Sequence, residues 1–255
     1  MKISAGGLLF ASIIILQYTL QMKPTRSRYI IHRARVFCNS QKNFFSLDRS
    51  VYICLMSVLT KSEKTRQFII EMAAPLFNKK GYAGTSMNDI MVATGLAKGG
   101  IYGHFESKDE IAAAAFEYCL SKVKTGLLST INTHSSALEK LFSILAFYKN
   151  YTLKPSVEGG CPILNTAVDA DDNYPFLKKK AKNALNEMLD GLQQIIELGI
   201  SKQEIRPTIN SRKVSEMIFA QIEGGIMMAK VSDNVSLLNS VLDNLRTYIE
   251  THVKV

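Results

Sequence analysis

The sequence has few cysteines, and their positions indicate neither a zinc site nor a disulfide framework. Four cysteines occur in 255 residues, and Cys38, Cys54, Cys119 and Cys161 form neither a CxxC pair nor a cluster with histidine. This scatter favours neither a structural zinc site nor a disulfide framework. We therefore predict no metal site and expect the protein to work in a reducing cytoplasm.

Sequence motifs for catalysis are also missing. The chain contains no phosphate-binding loop, nucleophile elbow, metal-ligand cluster or pair of catalytic carboxylates. We therefore predict no catalytic residue, no cofactor and no enzyme activity. A helical enzyme that uses the Tyr102-x-His104 pair is the alternative, but that pair alone is a weak signal.

Positive charge is concentrated at one end of the chain. The net charge is +9, and residues 1–55 carry eight basic side chains and one acidic side chain, a net charge of +7. The remaining residues therefore contribute only +2. Overall charge is thus no argument that the folded part binds nucleic acid.

Residues 1–55 also differ from the rest in hydropathy, and three interpretations are open. Residues 3–22 are uncharged, residues 8–20 are strongly apolar, and a basic stretch follows. The favoured interpretation is that translation starts at Met56, which would make residues 1–55 an extension that the native protein lacks. A membrane anchor at residues 8–20 is the second. A secretory signal is the third, although no clear small-x-small cleavage site follows the apolar run.

From Met56 onward the apolar residues recur at helical spacing, and no sustained alternation predicts a strand. We therefore predict an all-α fold, with one domain at residues 56–108 and a second at residues 109–255. Capping boxes at Thr60-x-x-Glu63 and Ser86-x-x-Asp89 mark the first two helices, and Ser107 caps the fourth. A short third helix is predicted from Lys98 to about Phe105.

The second and third helices have the pattern of a helix-turn-helix, which places one helix in the major groove of DNA. Gly95 supplies the positive φ of the turn. The third helix contains Gly99, Gly100 and Gly103, each of which costs about 1 kcal/mol relative to alanine in a helix. This cost is understandable if the backbone must approach another surface closely, such as the wall of a DNA groove.

Several residues around this motif are candidates for contacting DNA. Lys98 and Lys108 can neutralise phosphates, and the helix N-termini at Thr85 and Ser86 can bind phosphate through backbone N–H groups. Tyr102 and His104 offer polar groups on one side of the third helix. The predicted DNA-binding residues are therefore Thr85, Ser86, Lys98, Gly99, Gly100, Tyr102, His104 and Lys108.

The order and spacing of these residues closely resemble the DNA-binding domain of TetR-family transcriptional regulators. The resemblance covers about fifty residues and rests on Thr65-Arg66, Ala73, Leu76-Phe77, Gly81-Tyr82, Thr85-Ser86-Met87, Asp89-Ile90, Gly95-Leu96, Lys98-Gly99, Ile101-Tyr102, His104-Phe105, Ser107-Lys108 and Glu110. It implies an N-terminal three-helix DNA-binding domain, followed by a helical domain that binds a ligand and forms the dimer. Two features depart from the family pattern. Ala97 replaces a frequent hydroxyl cap, and Gly100 and Gly103 replace larger residues, so specificity is expected to lean on Tyr102, His104 and DNA shape.

The C-terminal half offers candidates for a ligand site. The segment 159–165 with Asp171-Asp172 resembles one subset of the family, which indicates the type of ligand domain but not the ligand. Cys161 is either a redox sensor or a small buried residue, and the second interpretation is favoured. The aspartates at 169, 171 and 172 either attract a cation or end a helix in solvent, and the latter is favoured. The candidate ligand-binding residues are Phe142, Phe147, Tyr151, Cys161 and Met188.

The last two helices are candidates for a dimer interface. The final helix has an apolar stripe, and Gly224-Gly225 in the preceding helix allows another helix to approach closely. The predicted interface residues are Met217, Gly224, Gly225, Leu238, Leu242, Leu245 and Ile249. Packing of the stripe within one subunit is the alternative.

The predicted function is a homodimeric transcriptional regulator that binds double-stranded DNA at a palindromic operator. We expect a repressor that a small-molecule effector releases from the DNA. A membrane-tethered form of the same regulator, anchored by residues 8–20, is the alternative that the N-terminal segment leaves open.

Overall fold

The computed structural model describes residues 60–151, 155–170 and 173–255. Within these ranges the chain forms nine α-helices, and a π-helical turn at Ile249–Val253 follows the last one. The only bridge between extended residues found there joins Ile205 to Lys254. Numbered in chain order, α1 to α9 are Lys61–Lys80, Met87–Thr94, Lys98–Tyr102, Lys108–Ile131, Ala137–Tyr151, Pro162–Ala170, Pro175–Ser201, Ser211–Val231 and Val235–Tyr248. The predicted all-α class is confirmed.

The predictions for residues 1–55 lie outside the described residues. They include the start at Met56 and the apolar run at residues 8–20. None of the helices in the described ranges is long and apolar enough to cross a membrane.

Side-chain caps fix where the first helices begin. Thr60 accepts the N–H of Glu63 while the Glu63 carboxylate accepts the N–H of Thr60, and Ser86 and Asp89 form the same reciprocal pair before α2. Ser107 accepts an N–H from the first turn of α4. Because a helix leaves its first N–H groups without internal partners, each cap stabilises its helix by about 1 kcal/mol. The three predicted caps are confirmed.

The first four helices share a small apolar core. Ile69 of α1, Ile90 of α2, Ile101 of α3 and Ile111 of α4 are fully buried, and Phe105 is 2% exposed. Burial of such side chains stabilises the fold by about 1.5–3 kcal/mol each. The core therefore fixes where the short helix α3 lies.

Helix α4 is longer than predicted and belongs to two cores. The sequence predicted an end near Lys124, but the helix continues to Ile131 through Gly126. A Cβ atom at Gly126 would lie 2.7 Å from the Phe147 ring, so the glycine admits α5 against α4 rather than ending the helix. Ile111 packs in the first core, while Leu127 packs in the C-terminal core.

The C-terminal core is built from α4, α5, α7, α8 and α9. Its central side chains are almost completely removed from solvent; they include Ile196, Ile218, Ile222, Leu238 and Leu245. Thr60–Val255 form one compact unit. The boundary proposed between residues 108 and 109 coincides with the start of α4, which both cores use.

Candidate nucleic-acid interface and its link to the C-terminal domain

The turn between α2 and α3 depends on one glycine and one threonine. Gly95 adopts the left-handed conformation, with φ of 68° and ψ of 11°, and its N–H donates to Met91. Thr94 donates its hydroxyl to Ile90 and accepts the N–H of Leu96. A side chain at position 95 would make this conformation costly. The predicted glycine turn is confirmed.

Helix α3 has a buried face and an exposed face. Ile101 and Phe105 face the core, whereas Lys98, Gly99 and Gly100 are exposed. Tyr102 is 40% exposed, and its ring lies 5.8 Å from the Lys98 ammonium group. Ala97 provides no side-chain cap for the helix, as its sequence predicted. The exposed surface of α3 therefore combines a cation, a phenol and bare backbone.

The chain itself does not require the glycines of α3. A Cβ atom at Gly99 would meet nothing within 4 Å, and one at Gly100 would meet only Leu96, at 3.7 Å. Neither residue is among the described glycines with positive φ. Two glycines that cost helix stability without an internal reason support the prediction that this backbone approaches an external surface.

A cation-mediated contact holds the end of α3 in place. The Arg66 guanidinium lies 4.4 Å from the centre of the Phe105 ring, and it also pairs with Glu110 at 2.8 Å. His104 is half-buried, and its Nδ1 lies 3.4 Å from the Ser62 hydroxyl. Arg66 and Glu110 belong to the family resemblance, but the sequence predicted this role for neither of them.

Two of the residues predicted to contact DNA are engaged within the chain itself. Thr85 is fully buried, its hydroxyl donates to Gly81 and its N–H donates to Tyr82, so the prediction that it contacts DNA is wrong. Lys108 donates to the Tyr82 carbonyl at 2.7 Å and lies over the Tyr82 ring, and burial lowers the pKa of this lysine. Lys108 therefore also holds the segment before α2, and its contact with DNA stays a prediction. Both side chains hold the segment between α1 and α2.

Ser86 keeps an exposed position but is also engaged. Its hydroxyl and its N–H both bond to the Asp89 carboxylate. The pairing of Asp89 with Lys80, followed by these bonds from Ser86, holds the pKa of Asp89 well below its usual value. The part of Ser86 in DNA binding stays a prediction, as do those of Lys98, Gly99, Gly100, Tyr102 and His104.

A hydrogen-bond network joins the end of α1 to the loop before α6. Asn78 is 7% exposed, and its amide donates to the carbonyls of Glu158 and Gly160 at 2.8 and 3.1 Å. The Asn165 amide donates to the Asn78 carbonyl at 2.9 Å and to the Gly159 carbonyl at 2.8 Å. Buried amides with this many partners fix two segments relative to each other.

The glycines of this loop are required where they stand. Gly159 and Gly160 have φ values of 109° and 95°, and a Cβ atom at Gly159 would lie 2.8 Å from the Asn78 carbonyl oxygen. Asp169 of α6 accepts the N–H of Tyr82 at 2.6 Å. Asp169 is therefore a bridge between α6 and the segment before α2 and not a solvated helix end. Positions 171 and 172 lie outside the described residues, and no metal-binding group occurs among those described.

Two of the candidate ligand residues, Phe147 and Tyr151, lie together with Tyr148 and near a third candidate, Cys161. The rings of Phe147, Tyr148 and Tyr151 are in mutual contact, with centres 5.2–5.7 Å apart. The Tyr151 hydroxyl lies 3.4 Å from the Gly160 carbonyl, next to Cys161. Met188 packs against the cluster that contains Cys161, whereas Phe142 lies beneath the Arg246 guanidinium at 4.3 Å. Phe142, Phe147 and Met188 all pack against the C-terminal core, to which Tyr151 belongs.

Cys161 has the environment of a buried thiol rather than that of a reactive one. It is 6% exposed, and burial, followed by the Glu223 carboxyl, raises the pKa of its thiol well above the usual value. Because the thiolate is the reactive form, this environment disfavours redox chemistry. The interpretation of Cys161 as a small buried residue is supported.

Most of the predicted dimer contacts lie inside one chain. Leu238, Leu242, Leu245 and Ile249 are no more than 2% exposed. A Cβ atom at Gly225 would lie 2.7 Å from Leu238, so this glycine serves the packing of α8 on α9. The prediction that these five residues form the interface is wrong, because the α9 stripe already packs in its own core. Met217 and Gly224 stay predictions.

Comparison with known proteins identifies the regulators to which this chain is similar. A family model described as bacterial regulatory proteins, tetR family, matches residues 69–115, and one described as tetracyclin repressor-like, C-terminal domain, matches residues 137–245. A curated relative, the HTH-type transcriptional repressor DhaR of a Mycobacterium species, is 24% identical over 179 residues, which cover 69% of this chain and 88% of DhaR.

Two solved structures share both the fold and much of the sequence. A TetR transcriptional regulator from Chloroflexus aurantiacus is 37% identical, with a TM-score of 0.75, and the match covers 77% of this chain and all of that one. A TetR-family regulator from Cytophaga hutchinsonii is 38% identical, with a TM-score of 0.73, and the match covers 77% of this chain and 98% of that one.

Proposed function

Since the chain belongs to the TetR family of bacterial transcriptional regulators, we propose that it binds a palindromic operator as a homodimer. In this proposal, α3 of each copy lies in a major groove, and a small effector in the C-terminal domain releases the DNA. The two half-sites of a palindrome require two copies of the reading helix at a fixed spacing.

The exposed face of α3 is the observation that carries the proposal. Gly99 and Gly100 are exposed and have no internal reason to lack a side chain, so they allow the backbone to approach the DNA. Lys98 can reach a phosphate, and Tyr102 can reach the groove floor or a neighbouring phosphate. Few side chains then read base edges, and DNA shape contributes to specificity.

A stripe along α8 is our candidate for the dimer interface. Met217, Ala220, Gly224, Met227 and Val231 follow one another at alternating spacings of three and four residues. Met227 and Val231 are 50% and 81% exposed, and a Cβ atom at Gly224 would meet nothing within 4 Å. Exposed apolar side chains in a line mark an interaction surface, and the spacing suits helix-to-helix packing between two copies.

The network at Asn78 is our candidate for transmitting the effector signal. Cys161 lies between the loop at residues 156–160 and helix α6. The loop contacts Asn78, and Asp169 of α6 contacts Tyr82. A displacement of this loop by an effector would shift the end of α1 and hence the angle of α3. Release then follows because two shifted reading helices no longer match successive major grooves.

A gel-shift titration with DNA from upstream of the gene tests the proposal. We expect a specific complex that survives an excess of unrelated DNA. Tyr102→Ala should weaken specific binding by about 1–3 kcal/mol. Lys98→Ala should weaken specific and non-specific binding alike and reduce the salt dependence. Lys179→Ala removes the same charge from the exposed surface of α7 and serves as the matched control. Binding that is salt-sensitive and independent of sequence would contradict the proposal.

A further inference from the structure

Helix α8 carries a carboxyl group that the rest of the described chain does not satisfy. Glu223 is 8% exposed, and neither of its carboxyl oxygens has a hydrogen-bond partner among the described residues. Burial of an acid without partners is unfavourable, and most buried polar groups in folded proteins are paired. A group of this kind therefore needs an explanation.

The surroundings of Glu223 are aromatic and contain no compensating cation. After burial and Cys161, the Glu223 carboxyl is a cause of the raised pKa values of Tyr148 and Tyr151, so the four side chains share one neighbourhood. Burial raises the pKa of Glu223 itself to about 7. The Cys161 thiol lies close enough to lower that pKa but has no hydrogen-bond geometry to either carboxyl oxygen. No described lysine or arginine is among the causes of the shifted pKa of Glu223.

One of the two tyrosines near Glu223, Tyr151, also borders a cleft at the surface. A cleft of about 280 Å³ is lined by Thr130, Ala146, Phe147, Asn150 and Tyr151. Tyr151 is thus shared between this cleft and the neighbourhood of the carboxyl group. The cleft is close to the lower limit of small-molecule sites, which suits a ligand of about one ring.

We propose that Glu223 is the recognition group of an effector site for a small organic cation that carries N–H donors, such as an amidine or a guanidine on an apolar ring. Two parallel N–H groups would pair with both carboxyl oxygens. The rings of Tyr148 and Tyr151 would cover the apolar body and favour its positive charge. An anionic ligand would meet a negative group without a counter-ion.

Binding by this route has a defined proton balance. Glu223 carries its proton for part of the time at neutral pH, and pairing with a cation requires the carboxylate. The proton leaves to the buffer as the cation binds, while the Cys161 thiol and the Tyr148 and Tyr151 hydroxyls stay neutral, because their pKa values lie well above neutrality. Cation binding should therefore release a fraction of a proton.

Three compounds of nearly the same shape test the proposal by calorimetric titration of the full chain. Benzamidinium, benzamide and benzoate differ in charge but share one ring and one planar head group. We expect benzamidinium to bind roughly tenfold to hundredfold tighter than benzamide, because charge-assisted hydrogen bonds replace neutral ones. Benzoate should not bind. Titration in two buffers of different ionisation enthalpy should show the release of protons.

A pair of variants links this binding to Glu223. Glu223→Gln keeps the shape of the side chain and should reduce the affinity for benzamidinium by roughly tenfold or more. Glu117→Gln removes a carboxylate from the surface of α4, where Glu117 pairs with Lys180, and should leave that affinity unchanged. If Glu223→Gln fails to fold, the ligand series and the proton release on the unsubstituted chain still decide the question.

Equal affinities for benzamidinium and benzamide, no binding of benzamidinium, or undiminished binding to Glu223→Gln would each overturn the proposal. The regulatory role of the site rests on the proposed function, whereas the binding does not. A gel-shift on the same preparation separates the two. Operator binding without benzamidinium binding overturns the effector site alone, and Glu223-dependent binding without operator binding overturns the proposed function alone.

Discussion

The helix-turn-helix and the C-terminal domain leave different groups unsatisfied. Around α3 the interior is complete, because Ile101 and Phe105 are buried and the helix starts nearby are capped. The feature that packing within the chain does not explain lies outside, at the exposed backbone of Gly99 and Gly100. In the C-terminal domain the unsatisfied group lies inside, where the buried carboxyl group of Glu223 has no hydrogen-bond partner among the described residues. A free outer surface suits a large partner such as DNA, whereas an unpaired interior group suits a small ligand.

This difference separates two kinds of mutational effect. Changes on the outer face of α3 should alter DNA binding and leave folding almost unaffected. Changes at Glu223 should alter stability and its dependence on pH before any ligand is present.

The largest contrast concerns the two last helices. Leu245→Ala in α9 should destabilise the fold by about 2–5 kcal/mol, because the side chain is fully buried in the C-terminal core. Met227→Asp in α8 should leave the chain folded but shift it from dimer to monomer, because Met227 is 50% exposed. Urea denaturation measures the first effect and sedimentation measures the second. A dimer unaffected by Met227→Asp would remove α8 as the interface.

The next effect is a loss of stability as the pH rises. The pKa of Glu223 is about 7 in the folded chain and about 4.5 in the unfolded chain. Between these values the unfolded chain has lost a proton that the folded chain keeps, so the free energy of unfolding falls as the pH rises through this range. The full loss above neutral pH is about 3 kcal/mol.

Urea denaturation at about pH 5 and about pH 8 measures this loss. Glu223→Gln cannot ionise, so the difference between the two pH values should shrink by about 3 kcal/mol relative to the unsubstituted chain. If both chains show the same difference, the carboxyl group is either paired or solvated, and the contrast with α3 disappears.

Asn78→Ala should have a smaller effect on stability and a clear effect on regulation. It leaves the Glu158 and Gly160 carbonyls without their donor, which costs about 1–3 kcal/mol. We expect operator binding to persist while the response to an effector weakens. Lys79→Ala removes the neighbouring surface ion pair to Glu158 and serves as the control, because exposed pairs contribute little. A full effector response in Asn78→Ala would exclude this network as the link.

The sequence predicted the helix-turn-helix well because its signals are local. Caps at Thr60 and Ser86 and the turn at Gly95 involve residues within four positions of each other. Even so, α3 ends at Tyr102 and not near Phe105, and directly after its C-cap at Gly103 the N–H of His104 bonds to Ile101, three residues back instead of four. Local patterns therefore gave the elements, with an error of a few residues at one end.

Contacts between residues far apart in the chain could not be predicted from local sequence patterns. An apolar stripe such as that of α9 shows that one face is buried, but not whether it packs in its own chain or against a copy. Asn78 bonds to a residue 80 positions later, so no local pattern could give it a role. The sequence predicted no role for Glu223, and only the packing of α8 places this residue inside.

The smallest expected effect on stability is also the sharpest test of the contrast. Gly100→Ala should stabilise the folded chain by about 0.5–1 kcal/mol, because alanine favours the helix and its methyl group meets only Leu96, at an ordinary contact distance of 3.7 Å. The same methyl group should hinder the approach of α3 to DNA and weaken operator binding by about tenfold or more. Thermal unfolding and a gel-shift on one preparation measure both quantities. A substitution that stabilises the protein and weakens its binding would establish that the glycine serves the DNA and not the fold. If operator binding is unchanged, the close approach of the α3 backbone is refuted, and the reading of the operator must then depend on the side chains of Lys98, Tyr102 and His104.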